Sequence, residues 1–351
     1  MLILQYLIAI LGFSVIVLVH EFGHFIIAKL SGMHVQEFFL GFGPKILKYT
    51  SKKSGTMYGI SAIPLGGYNK ILGQDRSEAI PESMKDKAFY DKPFYKKLLV
   101  ISGGGLFNII FAVILIIVYF SLGVFVPSNI IDYLQPGSPA ETYGFQKGDK
   151  VISLNDKEIK SWDDFSFIVK DYPGKQVTFK ILRDKKEMSI DAELSNVDGK
   201  GYLGVGPLLI KEKMGGGQVI SESFKMVGNL SVTYVKLFGM LFSGKIPFSE
   251  ARPVSPIGVI SIFQQSAAMG AQNFILFVAL VSILLAFGNF LPILPVDGGH
   301  LVIIIIEALR KKPASKKAIE VYNTLGIVLV VSLLLVGVVF DIISPFKLPS
   351  M

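Results

Sequence analysis

The chain has 351 residues, 51% of them hydrophobic and 18% charged, and a mean hydropathy of +0.54. These values are typical of an integral membrane protein and exclude an ordinary soluble domain. There is no cysteine, so disulfides and thiolate metal ligands are excluded, and a metal would have to bind histidine and carboxylate side chains. The formal net charge of +8 does not indicate nucleic acid, because the basic residues flank apolar stretches and are explained by the lipid bilayer.

Four predominantly apolar stretches are long enough to cross about 30 Å of hydrocarbon. They lie within residues 2–30, 98–125, 276–300 and 321–344. Residues 29–97 carry twelve Lys or Arg against six acidic residues, and residues 307–320 carry five against two. The positive-inside rule therefore predicts that both basic loops are cytoplasmic. The two termini and the central domain are then predicted to lie outside.

The first apolar stretch carries the motif His20-Glu21-Phe22-Gly23-His24 towards its end. Histidines four apart on a helix lie on one face, so both rings can bind one metal ion. Glu21 projects about 100° further round, where a carboxylate can act as a general base. Ionisable groups are costly in hydrocarbon and persist mainly where they function, which disfavours a chance match. The motif predicts a hydrolytic zinc site within or beside the bilayer.

Two glycine-rich segments, residues 38–44 and 58–68, follow the first span, with a polar turn from Thr50 to Gly55 between them. This pattern predicts a β-hairpin region over residues 38–72. Non-helical backbone at membrane depth is tolerated only where it is buried in protein or faces a watery cavity. We therefore predict a re-entrant hairpin beside the metal, with an ordinary surface hairpin as the open alternative.

Residues 127–212 change to alternating, charged, strand-like sequence with a helix near Ser161–Tyr172. The run from Gln135 to Ile152 and the segment Gly201-Tyr202-Leu203-Gly204-Val205 resemble a bacterial PDZ domain. PDZ domains bind peptides by adding a strand to a sheet edge. A folded domain with an occluded groove is the alternative. Residues 213–252 have apolar side chains at helical spacing and are predicted to form an amphipathic helix at the outer membrane interface.

The third apolar stretch ends in the segment from Asn289 to His300, which contains Pro292 and Pro295. Asp297 is the only carboxylate between Glu250 and Glu307. Prolines remove backbone donors and interrupt a helix, which lets a loop enter the bilayer. An isolated aspartate beside such a break is a functional candidate, with a helix N-cap as the alternative role.

The H-E-x-x-H motif, the PDZ-like segment and the N-x-x-P…D-G pattern together resemble the site-2 protease family of intramembrane zinc metalloproteases. The layout is most similar to its bacterial RseP type. The resemblance implies a polytopic α-helical membrane protein with four transmembrane helices, a re-entrant β-hairpin and one inserted PDZ domain. It also implies one Zn²⁺ per chain bound by His20, His24 and Asp297, with Glu21 as the catalytic carboxylate and Asn289 assisting nearby. His300 is not expected to be a ligand, because three protein ligands leave the fourth position open.

The implied organisation is a membrane core in two parts, residues 1–126 and 253–351, around a PDZ domain at 127–212 and an interfacial helix region at 213–252. The implied function is hydrolysis of peptide bonds within the spans of single-span membrane proteins, such as anti-sigma factors or remnant signal peptides, in the bacterial cytoplasmic membrane. Another protease is expected to cut these substrates first, and the PDZ domain is expected to act as a size filter. The sequence departs from the family pattern in that Val296 precedes Asp297 and Pro295 lies three residues after Pro292.

An extended substrate needs partners for its backbone groups, and an exposed strand edge supplies them. The predicted edge is Tyr58-Gly59-Ile60-Ser61-Ala62-Ile63, which is β-prone and close in sequence to the first span. Two other functions remain open at this point. One is a membrane zinc protease that cuts soluble loops and uses a glutamate as third ligand, and the other is a PDZ-bearing membrane scaffold with a structural metal site.

Overall fold

The computed structural model describes residues 2–75, 78–246 and 253–348. The chain divides into two compact units. One consists of Met1–Ser121 and Gly215–Met351 and is called the membrane unit below, and the other is Leu122–Met214 and is called the inserted domain. The sequence interpretation placed the boundaries of this domain at 127 and 212, inside the observed unit.

The elements follow one another along the described chain, with a short 3₁₀-helix at Glu82–Lys87 before the second long helix. In order they are α1 (Leu2–Leu30), β1 (Val35–Thr50), β2 (Met57–Ile71), α2 (Phe94–Ser121), β3 (Val124–Leu134), α3 (Pro139–Thr142), β4 (Lys150–Leu154), β5 (Lys157–Glu158), α4 (Trp162–Lys170), β6 (Gln176–Arg183), β7 (Lys186–Glu193), β8 (Ser195–Val197), β9 (Lys200–Tyr202), β10 (Val205–Glu212), α5 (Gly216–Phe242), α6 (Pro256–Ala268), α7 (Ala271–Asn289), α8 (Asp297–Arg310) and α9 (Lys316–Ile343).

Four of the described helices, α1, α2, α7 and α9, are long and apolar enough to cross a membrane. They confirm the four predicted spans, but the bounds of three of them differ. Helix α9 covers Lys316–Ile343, where 321–344 was predicted. Helix α2 begins at Phe94 and ends at Ser121, about one turn before the predicted 98–125. Helix α7 ends at Asn289, so the prediction that the third span continues to residue 300 was wrong. Pro292 and Pro295 cannot donate backbone hydrogen bonds, and the chain forms a loop before α8 starts at Asp297.

Helix α6 was not predicted. It begins with Ser255 as N-cap, whose hydroxyl accepts a hydrogen bond from the Gly258 backbone N–H at 3.3 Å, and with Pro256 in the first turn. Its Phe263 is fully buried in a cluster with Ile16 of α1 and Val278 of α7. The helix therefore forms part of the membrane unit's apolar interior.

Helices α1 and α2 pack against each other through two glycines, Gly23 and Gly103. A Cβ on Gly103 would lie 2.8 Å from the Gly23 carbonyl oxygen, and a Cβ on Gly23 would collide with the Gly103 carbonyl. Two backbones approach this closely only where neither position carries a side chain. The contact lies inside the metal motif, between His20 and His24, so it sets which part of α2 faces the two histidines.

Strands β1 and β2 are long and bent, and they pair with each other more than once. The first part of β1, residues 35–40, lies opposite residues 67–71 on one side and 57–60 on its other side. Gly59 lies opposite Phe39 on one side and Lys48 on the other. The expectation that Tyr58–Ile63 forms an exposed edge was therefore wrong for residues 58–60, which are flanked by β1 on both sides. Residues 67–71 pair only with 35–40 among the described residues, so they form an edge.

Helix α5 has the amphipathic pattern that was predicted for residues 213–252. Residues 247–252 of that range lie outside the part of the chain that the structure describes. Val227 is buried with Ala112 of α2 and Ile283 of α7, while Phe224 and Val232 are exposed. One face of α5 therefore packs against α2 and α7, and an apolar surface remains on the other.

The inserted domain is a β-rich α+β unit with its own core. Its main sheet has the order β10-β3-β4-β6-β7, with β5 paired to β4, and β8 and β9 form a separate pair. Phe165 of α4 packs into a core with Val151, Phe179 and Ile181. The buried Asp149 accepts two hydrogen bonds from Arg183, at 2.6 and 2.7 Å, and these bonds raise the pKa of Arg183 above its ordinary value.

Candidate active site

The two motif histidines lie on one face of α1, as their spacing predicts, and both are buried, with exposed fractions of 6% and 8%. Their Nε2 atoms are 3.2 Å apart. The carboxylate of Asp297 completes the group, with its Oδ2 atom 3.1 Å from His20 Nε2 and 3.2 Å from His24 Nε2. Three side chains from two distant parts of the chain thus direct one atom each to a common point.

This arrangement fits a zinc ion. Asp297 Oδ2 is buried and takes part in no hydrogen bond, although it lies close to both histidine nitrogens, so the geometry is that of converging lone pairs. A tetrahedral zinc with bonds of about 2.0–2.1 Å holds its ligand atoms about 3.3 Å apart. The observed separations are close to that value. Two imidazoles and one carboxylate are also a ligand set that zinc commonly takes in hydrolases.

The loop that leads to Asp297 is held by close backbone contacts. A Cβ on Gly299 would lie 2.5 Å from the Leu294 nitrogen, and one on Gly298 would collide with the Leu291 carbonyl, so the first turn of α8 folds tightly against residues 290–296. Helix α9 supports the same loop, since the Tyr322 hydroxyl donates to the Pro292 carbonyl at 2.6 Å. Val296, and not Asp297, occupies the N-cap position of α8, which argues against the alternative role of Asp297 as a cap.

Glu21 has a partner on the sheet. The amide nitrogen of Asn69 donates to the Glu21 carboxylate at 2.8 Å and to the Glu21 backbone carbonyl at 2.5 Å. A Cβ on Gly67 would lie 3.1 Å from Glu21 Cγ, so the edge segment 67–71 lies directly beside this side chain. The two contacts fix the direction of the carboxylate and bring a strand edge to it.

A cavity of about 310 Å³ opens at this place. It brings together the metal-ligand candidates, the edge segment and the end of α7, and its lining comprises His20, Glu21, His24, Tyr68, Asn69, Ile71, Gln74, Val100, Ile101, Asn289, Pro295, Val296, Asp297 and His300.

The structure brings together His20, Glu21, His24 and Asp297. Asn289 also lines the cavity, and its amide nitrogen donates to the Leu285 carbonyl of its own helix at 3.0 Å. His300 lines the cavity too, but it is not among the three residues whose ligand atoms converge.

The predicted substrate-binding residues Tyr58, Gly59, Ile60, Ser61, Ala62 and Ile63 do not line this cavity. Tyr58 instead packs in an aromatic group with Phe25 and Phe38. The sequence interpretation missed Asn69, Tyr68 and Gln74, which lie beside the site. An amide that follows Gly66 and Gly67 within an apolar hairpin was the available signal for Asn69.

Comparison with known proteins agrees with this geometry. Residues 8–333, nearly the whole chain, match the model of peptidase family M50. The chain belongs to peptidase family M50. A "Putative zinc metalloprotease" of Brucella suis is 31% identical, with 90% of this chain and 89% of that protein aligned. A protein of the same name from Clostridium acetobutylicum is 30% identical over 97% of this chain and 98% of its own length.

The zinc metalloprotease RasP of Shouchella clausii is 28% identical, with 95% of this chain and 98% of that protein aligned. Among solved structures, the PDZ domain of an SdrC-like protein from Listeria monocytogenes matches 25% of this chain and 92% of its own, at 22% identity and a TM-score of 0.21. The M50 protein described here is thus a multi-pass membrane metalloprotease with zinc as its cofactor.

Gly104 provides a test of the site's geometry. A Cβ at this position would lie 2.7 Å from His20 Nε2 and would also meet His24, so Gly104→Ala must displace the rings from their common point. We expect zinc affinity to fall about tenfold or more, measured by chelator competition on purified protein. Gly239→Ala is the matched control, because nothing lies within 4 Å of that position on α5, and it should bind zinc as the wild type does. Equal affinity in the two variants would show that α2 does not confine the histidines.

Proposed function

We propose that this metalloprotease cleaves peptide bonds within the membrane-spanning segments of its substrates. The observation that carries the proposal is the position of the converging donors. His20 and His24 are buried on α1, an apolar helix long enough to cross a membrane. Asp297, the first residue of α8, reaches them after the short loop that follows a second such helix, α7. Ionisable groups in such surroundings are retained mainly for function. The third donor is an aspartate, whereas the alternative protease that cuts soluble loops would use a glutamate.

The roles of the side chains follow from their contacts. His20, His24 and Asp297 would hold zinc, which when bound polarises the scissile carbonyl and makes water nucleophilic at neutral pH. Glu21 accepts the proton of the attacking water and passes it to the leaving amine, as a general base and then a general acid. Asn69 keeps the Glu21 carboxylate turned to the cavity through the 2.8 Å hydrogen bond. Asn289 lines the cavity, and its proposed role is to hydrogen-bond the substrate near the cleaved bond.

The variant Glu21→Gln distinguishes the proposed protease from the alternative function, a membrane scaffold with a structural metal site. The variant keeps the shape of the side chain and both histidines, so zinc content should stay at the wild-type level. Cleavage of a model transmembrane substrate in detergent or liposomes should fall by about 10²–10⁴-fold, because the proton acceptor is lost. Unchanged cleavage by a fully zinc-loaded Glu21→Gln protein would eliminate the proposed chemistry.

A membrane-spanning substrate is helical, so its backbone carbonyls are not free until it unwinds. We propose that the edge segment 67–71 holds the unwound substrate as an added strand. It pairs with β1 on one side only among the described residues, and it lies against Glu21 through Asn69 and Gly67. This replaces the earlier assignment to residues 58–63, whose first half is already flanked by β1. The segment would act at membrane depth, facing a watery cavity.

Cysteine crosslinking tests the assignment, since the natural chain has no cysteine. Single cysteines at Tyr68, Ile60 and Lys52 would be introduced into Glu21→Gln protein and combined with a substrate carrying one cysteine near its cleavage site. Strong crosslinking at position 68 is expected, with little at position 60 in the inner segment and none at position 52 in the turn. Crosslinking at position 60 that equals or exceeds position 68 would contradict the edge assignment.

The proposed setting is a bacterial cytoplasmic membrane, with the active site towards the cytoplasm and the termini and inserted domain outside. The distribution of basic residues supports this orientation, because residues 29–97 and 307–320 carry the excess of Lys and Arg. The proposed substrates are single-span proteins such as anti-sigma factors or remnant signal peptides that another protease has already shortened. The inserted domain is proposed to act as a PDZ-type size filter that excludes bulky outer domains.

The connections support the filter. Residues 122–123 join α2 to β3, and residues 213–215 join β10 to α5, so the domain is tied by short links to two helices of the membrane unit. Replacing residues 124–212 by a flexible linker should increase cleavage of a substrate that retains its outer domain. Cleavage of the same substrate with that domain removed should stay at the wild-type rate. An unchanged ratio of the two rates would show that the inserted domain does not select substrates by size.

A further inference from the structure

Helix α2 faces the two histidines with three residues at four-residue spacing, Val100, Gly104 and Asn108, which lie on one side of the helix. Gly104 provides clearance for the rings. The Val100 carbonyl lies 2.8 Å from His24 Nδ1. Asn108 lies at the other end of this face, and its side-chain amide nitrogen is 3.4 Å from His20 Nδ1. Each histidine thus directs Nε2 to Asp297 and Nδ1 to α2.

The chemistry of a metal-bound histidine sets what α2 must supply. A neutral imidazole that gives its Nε2 lone pair to a metal carries its proton on Nδ1, and that proton needs an acceptor. For His24 the acceptor is the Val100 carbonyl, whose oxygen can accept a hydrogen bond but cannot donate one. For His20 the neighbour is an amide, which offers a donor nitrogen on one side and an acceptor oxygen on the other.

The Asn108 side chain is fully buried, at 0% exposure, and its Oδ1 atom has no hydrogen-bond partner. An orphaned acceptor next to a metal-ligand candidate is unusual, because buried polar atoms are normally paired. Turning the amide by half a rotation about its last bond exchanges the two atoms. The oxygen then meets the His20 Nδ1 proton.

We propose that Asn108 is a positioning residue for the metal site, whose amide oxygen accepts the Nδ1 proton of His20 when zinc is bound. Asn108 would fix both the tautomer and the plane of the His20 ring, as the Val100 carbonyl does for His24. The Ser282 hydroxyl of α7 donates to the Asn108 backbone carbonyl at 2.9 Å, a contact that does not involve the side-chain amide. The proposal rests on the proposed role of His20 as a zinc ligand.

Zinc affinity of the full-length protein, measured by chelator competition, is the first test. Asn108→Leu removes the acceptor at nearly constant volume and should weaken zinc binding about 10–100-fold, the usual effect of losing a partner of a metal-bound histidine. Asn108→Asp retains an acceptor and should stay within about threefold of the wild type or bind more tightly. Ser282→Ala is the matched control, because it removes a buried hydrogen bond to the same residue without touching the amide. Its affinity should change by less than about twofold.

A tautomer measurement keeps the proposal testable if the leucine variant folds poorly. The chain has only four histidines, so ¹⁵N-histidine labelling gives a spectrum in which His20 can be assigned by its loss in His20→Ala. In zinc-loaded protein the protonated Nδ1 signal of His20 should shift in Asn108→Asp and keep its position in Ser282→Ala. An unmoved signal in Asn108→Asp, or wild-type zinc affinity in Asn108→Leu, would overturn the proposal.

The variant His20→Ala distinguishes a failure of the proposal for Asn108 from a failure of the assignment of His20 as a zinc ligand. If His20→Ala binds zinc as tightly as the wild type, then His20 is not a ligand and the wider account of the site is wrong. If His20→Ala loses zinc while Asn108→Leu retains wild-type affinity, the ligand assignment stands. Only the role of Asn108 is then refuted.

Discussion

The backbone contact between α1 and α2 is the constraint on which the rest of the site depends. Gly23 and Gly103 carry no side chains, and their carbonyls lie where any Cβ would have to be. This contact lies between the two motif histidines, so it brings the α2 backbone over the rings and leaves Nε2 of each free to face Asp297. In hydrocarbon, helices gain little from burying apolar surface against each other, and close packing of small residues is the usual source of association. The same glycines therefore stabilise the helix pair and set the geometry of the ligands.

The second constraint is the break after α7. A continuous helix from Ala271 to residue 300 would present its side chains evenly around the axis. The two prolines stop the helix near Asn289, and Gly298 and Gly299 let the chain fold back so that Asp297 points at α1. The buried polar groups of such a loop need hydrogen-bond partners, and the Tyr322 hydroxyl of α9 donates to one of its carbonyls, that of Pro292. The sequence departures at Val296 and Pro295 leave Asp297 in place because these surrounding contacts hold the loop.

Much of this arrangement could be predicted from the sequence, because its signals are local. The length of the apolar stretches predicted the four spans, and the helical spacing of His20 and His24 predicted that they share a face. The isolation of Asp297 among apolar residues indicated a functional role for it. What could not be predicted depends on pairing between distant segments. Strand alternation indicates that residues 58–68 are β-structure, but it does not say which part lies at an edge, and the inner half was chosen wrongly. The bond from Asn69 to Glu21 depends on the same register. Helix α6 was missed because its apolar sequence has no charged face to mark it apart from the span that follows.

The central claim is that two histidines and one aspartate hold a single zinc ion. X-ray absorption at the zinc edge on purified, zinc-loaded protein tests it most directly. We expect a four-coordinate ion with two imidazole ligands and only light oxygen or nitrogen neighbours at about 2.0–2.1 Å. The spectrum should change in Asp297→Ala and stay the same in His300→Ala. Three imidazole ligands in the natural protein, or an unchanged spectrum in Asp297→Ala, would contradict the account.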